Sequence, residues 1–74
     1  MEGRLGYNDE LDRYGVLVSD LWKKDGLHCG ECFDIFINGE WKSDRIEYNH
    51  EIKKWYLVKS KLVGEELEYL RVRI

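Results

Sequence analysis

The chain has 74 residues, of which 43% are apolar and 36% charged, and its formal net charge is −3 at pH 7. This length allows one domain with a small core and leaves little chain for a deep catalytic cleft. The acidic balance argues against general nucleic-acid binding, because basic residues that neutralise phosphates supply most of that affinity.

The first predicted elements are strands, because the apolar residues alternate with a period of two rather than 3.6. Residues 3–7 form the first predicted strand, with Leu5 and Tyr7 on one face, and residues 14–19 form the second. Residues 20–31 contain two glycines and no such alternation, so we expect them to form the longest irregular segment.

The clearest local pattern begins at residue 32. Residues 32–37 alternate, so that one face carries Phe33, Ile35 and Ile37 and the other carries Cys32, Asp34 and Phe36. Asn38-Gly39 follows, and this pair supplies the positive φ angles of a type I′ turn. The sequence therefore predicts a tight hairpin at this point.

The returning strand, residues 40–48, changes phase. Trp41 occupies an odd position, whereas Ile46 and Tyr48 occupy even positions. A bulge or bend near Ser43-Asp44 would bring all three side chains to the core side, and we expect one there.

Three shorter segments complete the predicted order. Residues 55–58 are apolar on both faces, which favours a central strand, and residues 61–67 hold a turn or one helical turn. The last strand, residues 70–74, places its even-numbered residues inward and directs Arg71 and Arg73 outward.

These elements predict a mainly β protein with one domain over residues 1–74. We expect five or six strands in a small, strongly bent antiparallel sheet or an SH3-like barrel, because closure removes exposed sheet edges. No apolar run approaches the ~20 residues that span a bilayer, and the first residues lack an export signal. We therefore expect a cytoplasmic protein with no membrane partner and with reduced cysteines.

Seven short segments, spread over nearly the whole chain, carry the motifs of one known family. They are Gly6-Tyr7-Asn8, Arg13-Tyr14-Gly15, Gly26-Leu27-His28-Cys29-Gly30-Glu31-Cys32, Asn38-Gly39-Glu40-Trp41, Arg45-Ile46-Glu47-Tyr48, Trp55-Tyr56-Leu57-Val58 and Arg71-Val72-Arg73-Ile74. Together they resemble a small bacterial family catalogued as domain of unknown function 5348. The resemblance implies an origin in Gram-positive bacteria or in their phages and mobile elements, and it implies no known activity.

The sharpest chemical pattern is a pair of cysteines with the spacing of a zinc knuckle, Cys29 and Cys32. A closed structural zinc site needs four ligands, so His28 and His50 would complete it within one chain. Because His28 adjoins Cys29, a site shared between two chains is the easier arrangement. The alternative is a glycine-bearing turn into a strand, with the thiols as small buried apolar groups and no cofactor bound.

A second pattern combines basic and aromatic residues in the C-terminal half, where Arg71, Arg73 and Lys42 are the candidate partner contacts. Small barrels bind single-stranded nucleic acid by stacking bases on rings beside such a basic groove. The alternative, which we favour, is that the rings form the core and the charges a solvated face. Trp22 either anchors a partner or plugs the end of the barrel, and we expect the plug because a small core needs every ring.

The sequence lacks a set of catalytic residues, so we expect a protein that is not an enzyme. A non-enzymatic interaction module that binds another protein, as a monomer or homodimer, is the leading interpretation. Single-stranded nucleic-acid binding and zinc binding are the alternatives.

Overall fold

The computed structural model describes all 74 residues and contains seven strands. Every strand pair is antiparallel, which confirms the predicted mainly β, antiparallel class. The strands are β1 (Glu2–Asn8), β2 (Arg13–Val18), β3 (Leu21–Lys24), β4 (Cys32–Ile37), β5 (Glu40–Asn49), β6 (Lys54–Leu57) and β7 (Arg71–Arg73). The single helix is a 3₁₀ turn, Gly64–Leu67, which lies where one helical turn was predicted.

The strands form one sheet in the order β3-β2-β1-β7-β4-β5-β6. The sheet bends at β5, whose first residues pair with β4 and whose last residues, from Ile46 onward, pair with β6. The two ends of the sheet, β3 and β6, do not pair with each other, so the sheet is strongly bent but not closed into a barrel.

The strand count exceeds the prediction because β3 lies inside the segment that we expected to be irregular. Val18 pairs with Leu21, and the two residues between them, Ser19 and Asp20, adopt φ angles of 51° and 64°. These are the left-handed conformations of a tight hairpin turn, here without glycine. The turn has no Asn-Gly or Asp-Gly signature, and for that reason the sequence pattern does not reveal it.

The hairpin between β4 and β5 has the predicted form. Asn38 and Gly39 both adopt positive φ angles, 53° and 79°, and the flanking Ile37 and Glu40 pair directly. The sequence predicted a bulge or bend near Ser43-Asp44. No bulge occurs there, because the pairing with β4 runs without a break as far as Arg45, and the sheet bends only where the pairing with β6 begins at Ile46. Trp41 therefore lies on the face opposite the core, and its predicted core position is wrong.

One further expectation is wrong. The strand at residues 54–57, β6, lies at one end of the sheet rather than in its centre. After β6 the chain turns back, and Leu57 N donates a hydrogen bond to Leu62 O. The central strand is β7, whose Val72 pairs with Gly3 on one side and Ile35 on the other.

The core occupies the concave face of the bent sheet. Its eleven side chains are Leu5, Tyr14, Val16, Leu27, Phe33, Ile35, Ile46, Trp55, Leu57, Leu67 and Val72. Only three rings belong to it, so most of the aromatic residues lie at its margin or outside it. The 3₁₀ turn is four residues long, so the structure has no helix that could span a bilayer.

Candidate functional site

The convex face of the sheet, opposite the core, carries a cluster of aromatic and arginine side chains. Phe36 of β4 pairs with Trp41 of β5, and both face away from the core because their strand neighbours face inward. Arg71 and Arg73 flank the buried Val72 of β7 and lie on this same outward face, as predicted.

The four side chains are in direct contact. The rings of Phe36 and Trp41 pack edge to face, with centroids 5.1 Å apart and an angle of 62° between their planes. The Arg71 guanidinium carbon lies 5.1 Å from the Phe36 centroid and 5.6 Å from that of Trp41. Arg73 lies closer still to Trp41, at 4.3 Å. These distances are those of cation–π contacts.

Carboxylates orient both guanidinium groups. Arg71 donates from Nε and Nη2 to Glu2 Oε2, at 2.9 and 2.6 Å, and Arg73 donates from Nη2 to Asp34 Oδ2 at 3.0 Å. Each arginine is therefore held between a ring and a carboxylate, and its charge is partly compensated within the protein.

The cluster continues across the sheet as a row of side chains. Arg71 pairs with Arg4 of β1, Arg4 pairs with Leu17 of β2, and Leu17 pairs with Trp22 of β3. We call this set the outer row: Trp22, Leu17, Arg4, Arg71, Phe36 and Trp41. It crosses six of the seven strands and has a tryptophan at each end.

We expected Trp22 to plug the end of the barrel, but it does not. It lies on the edge strand β3 with 41% of its surface exposed. Its ring reaches over Gly6 of β1, where a Cβ atom would lie 3.4 Å from the ring and 2.5 Å from Leu17. The missing side chain at Gly6 leaves the space in which Leu17 and Trp22 pack on the sheet.

Lys42, the third basic candidate, lies apart from the outer row. It pairs with Ile35, whose side chain faces the core, and it lines a separate cavity of about 280 Å³ with Asp44 and Lys59. The preference for rings in the core and charges outside is also wrong for Trp41, which lies among the charges, whereas Trp55 belongs to the core.

The four candidate zinc ligands do not gather at one point, and no three His, Cys, Asp or Glu side chains form a group that could hold a metal ion. Cys29 and His50 line one pocket of about 290 Å³. Cys32 lies elsewhere, with its Sγ 3.7 Å from the Gly30 carbonyl oxygen. Both thiols are free and exposed rather than buried.

The segment around these cysteines is the glycine-bearing turn that the sequence indicated. The N–H of Glu31 donates to the His28 carbonyl at 3.1 Å, and Gly30 adopts a φ of 85°. The Glu31 carboxylate in turn accepts from the N–H of His28 and pairs with Lys24 of β3. The side chain of Glu31 thus ties this turn to the edge strand.

The sequence did not single out Arg4, Leu17 or Phe36 as site residues. A signal for Phe36 was present, because the alternation of residues 32–37 placed it on the face opposite Phe33, Ile35 and Ile37. The sequence gives no such signal for Arg4 and Leu17, because their place in the outer row depends on which strands become neighbours in the sheet.

Comparison with known proteins identifies relatives but no activity. Residues 3–74 match the model of a family described as "Domain of unknown function (DUF5348)". A crystal structure of a protein from Ruminococcus gnavus is 40% identical, with all of both chains covered and a TM-score of 0.78. No curated protein matches the sequence.

Proposed function

The chain belongs to the DUF5348 family, and we propose that it is a non-enzymatic module that binds another protein through the outer row. The observation that carries this proposal is the line of Trp22, Arg71, Phe36 and Trp41 on the sheet face opposite the core, where all four side chains are at least partly exposed.

The composition of the outer row supports a protein partner. Tryptophan, tyrosine and arginine are the residues that most often dominate the binding energy of protein interfaces. An antiparallel sheet with one solvated face normally places polar residues there, whereas this face carries two tryptophans and a phenylalanine. Glu2 and Asp34 beside the arginines resemble the polar rim of such an interface.

The same geometry supports a protein partner over single-stranded nucleic acid. Rings beside arginines can stack bases, and this feature favours the nucleic-acid alternative. However, Glu2 and Asp34 already compensate part of the charge of the two guanidinium groups, so a phosphate would meet a carboxylate beside each arginine. A protein surface with mixed charges complements both the arginines and the carboxylates.

The wider setting of this proposal is a cytoplasmic accessory protein of a Gram-positive bacterium or of its mobile elements, acting as a monomer or homodimer. The free thiols of Cys29 and Cys32 suit a reducing compartment. A zinc site shared between two copies is a separate alternative, and native mass spectrometry of protein purified without chelator would detect its added mass.

The outer row is tested by affinity capture from a lysate of a bacterium that encodes the protein, followed by quantitative mass spectrometry. We expect a specific protein to be retained, and Trp41→Ala to reduce its recovery about tenfold, because interface tryptophans often contribute more than 1.4 kcal/mol. Lys42→Ala is the matched control, since it changes the neighbouring residue on the other face, and it should leave recovery unchanged.

Recovery of no protein above background, or equal recovery with Trp41→Ala, would contradict the proposal. A fluorescent single-stranded oligonucleotide provides the second arm. Salt-dependent binding that is lost in the double variant Arg71→Glu, Arg73→Glu would replace the protein partner with nucleic acid.

A further inference from the structure

A second surface lies at the margin of the concave face, apart from the outer row. A pocket of about 270 Å³ opens where the β1–β2 turn, the β5–β6 turn and the 3₁₀ turn meet. We call it the rim pocket. Its lining includes four aromatic side chains, those of Tyr7, Tyr14, Tyr48 and Trp55.

The rings of the rim pocket are held by their polar atoms and by one another. Tyr14 Oη donates to the Gly64 carbonyl at 3.0 Å, and Trp55 Nε1 donates to the Asp12 carbonyl at 3.1 Å. Tyr7 packs edge to face on Tyr14, and Tyr48 packs in the same way on Trp55, with centroids 5.3 and 5.0 Å apart. A ligand therefore meets rings that are already in place.

Three carboxylates line the same pocket, and none of them is in an ion pair. Asp12, Glu65 and Glu68 have no lysine, arginine or histidine nitrogen within 4.0 Å. Lys53 and Lys54 line the same pocket, but neither forms an ion pair with these acids. The Lys54 stem lies along Gly64, where its Cδ is 3.1 Å from the position of a Cβ atom.

Neighbouring carboxylates contribute, after burial, to the raised pKa values of two groups that line the pocket. Burial and the nearby Asp9 carboxylate raise the pKa of Glu68 above its ordinary value. Burial, followed by the Glu68 and Glu65 carboxylates, raises the pKa of Tyr14. A cation in the pocket would offset the carboxylate contributions to both pKa shifts, but not burial, which is the larger cause of each.

We propose that the rim pocket binds a basic side chain, arginine or lysine, of a partner protein. The Arg13 guanidinium already lies 5.7 Å from the Trp55 ring centroid, so the π face for the partner's cation is that of Tyr48. Glu65 and Glu68 provide the compensating charge. This site is independent of the outer row, because the two surfaces share no residue.

The test uses small capped amino acids and ¹H–¹⁵N NMR titration of the whole protein. N-acetyl-arginine methylamide should shift the Trp55 indole N–H and the backbone N–H signals of Tyr7 and Glu68. The citrulline analogue has nearly the same shape without the charge. Its affinity should be lower by about fivefold or more, as expected for loss of a cation–π contact and an ion pair. The lysine analogue distinguishes a guanidinium site from an ammonium site.

Two variants locate the charge that binds. Glu65→Gln with Glu68→Gln should weaken arginine binding about fivefold, while the hydrogen bond from Tyr7 N to residue 68 is kept. Glu40→Gln, in the distant β4–β5 hairpin, should change nothing. The Trp41→Ala variant should also bind arginine normally. Loss of partner binding at the outer row can then be distinguished from loss of arginine binding at the rim pocket.

Three outcomes would overturn the proposal. They are equal binding of the arginine and citrulline compounds, undiminished binding in the double glutamine variant, and the absence of shifts at the highest soluble concentration. The spectrum of each variant shows at the same time whether it is folded.

Discussion

At the scale of single residues, Asp44 shows how a carboxylate can occupy an inward position of a strand. It is 2% exposed, and its oxygens accept hydrogen bonds from the backbone N–H groups of Arg45, Lys59 and Ser60 at 2.7, 2.8 and 2.9 Å. Burial alone would raise the pKa of Asp44, but these N–H groups outweigh it and the pKa is lowered. The charged carboxylate thereby links β5 to the turn that follows β6.

We expect Asp44→Asn to lower the free energy of unfolding by about 2 kcal/mol at pH 7, because the amide cannot accept all three hydrogen bonds. The wild-type pKa is lower in the folded state, so this contribution is complete above about pH 4 and is lost as the pH falls through the folded-state pKa. Urea denaturation at pH 7 and pH 3 measures both effects.

The variant should therefore lose less stability than the wild type between pH 7 and pH 3. Asp34→Asn serves as the control, because it removes an exposed ion pair with Arg73 and should change the free energy of unfolding by less than about 1 kcal/mol. Equal stability of Asp44→Asn and the wild type at pH 7 would show that the buried carboxylate stabilises nothing.

At the scale of elements, the β2–β3 turn is the feature that the sequence pattern did not reveal. Ser19 and Asp20 both adopt left-handed conformations, which cost residues other than glycine about 1 kcal/mol or more each. The equivalent turn between β4 and β5 uses Asn38-Gly39 and avoids part of that cost. The edge strand β3, with Trp22 on it, therefore depends on a strained turn.

Asp20→Gly should relieve this strain and raise the free energy of unfolding by about 1 kcal/mol, or the Tm by about 4–8 °C. Differential scanning calorimetry measures the change. The matched control is Gly39→Ala, which introduces a Cβ atom at a φ of 79° and should lower the Tm. A lower Tm for Asp20→Gly would mean that the aspartate side chain stabilises the turn.

At the scale of the whole molecule, the last strand of the chain holds the two halves of the sheet together. β7 pairs with β1 on one side and β4 on the other, and Val72 contributes to the core from the middle of the sheet. The preceding residues extend this contact, since Leu5 exchanges hydrogen bonds with Tyr69 and Leu70. Without β7, the sheet separates into β3-β2-β1 and β4-β5-β6.

A chain that ends at Glu68 should therefore lose cooperative thermal unfolding, which circular dichroism measures. The loss is expected because three-stranded pieces cannot bury the shared core, and such small units are marginal at best. A chain that lacks only Ile74, which is 39% exposed, should unfold nearly as the wild type does. Cooperative unfolding of the shorter chain would show that the two halves fold independently.

The sequence by itself predicted the elements with strong local signals. The alternation of residues 32–37 and the turn at Asn38-Gly39 require only neighbours in the chain, and both have the predicted form. The prediction that a bulge or bend near Ser43-Asp44 brings Trp41 to the core side was wrong, because we assumed that Trp41 belonged to the core. A ring can instead be half-buried on the outer face when arginines stack on it.

The sequence determined which side chains share a face of a single strand, because backbone geometry alternates them in every strand. Tertiary structure decided which strands are neighbours, and only that decision joins Trp22, Arg71 and Trp41 into one row. It also brings the distant Tyr14 and Trp55 to one rim. The physical reason is that pairings between remote segments depend on how the whole sheet bends over its core, which no local pattern specifies.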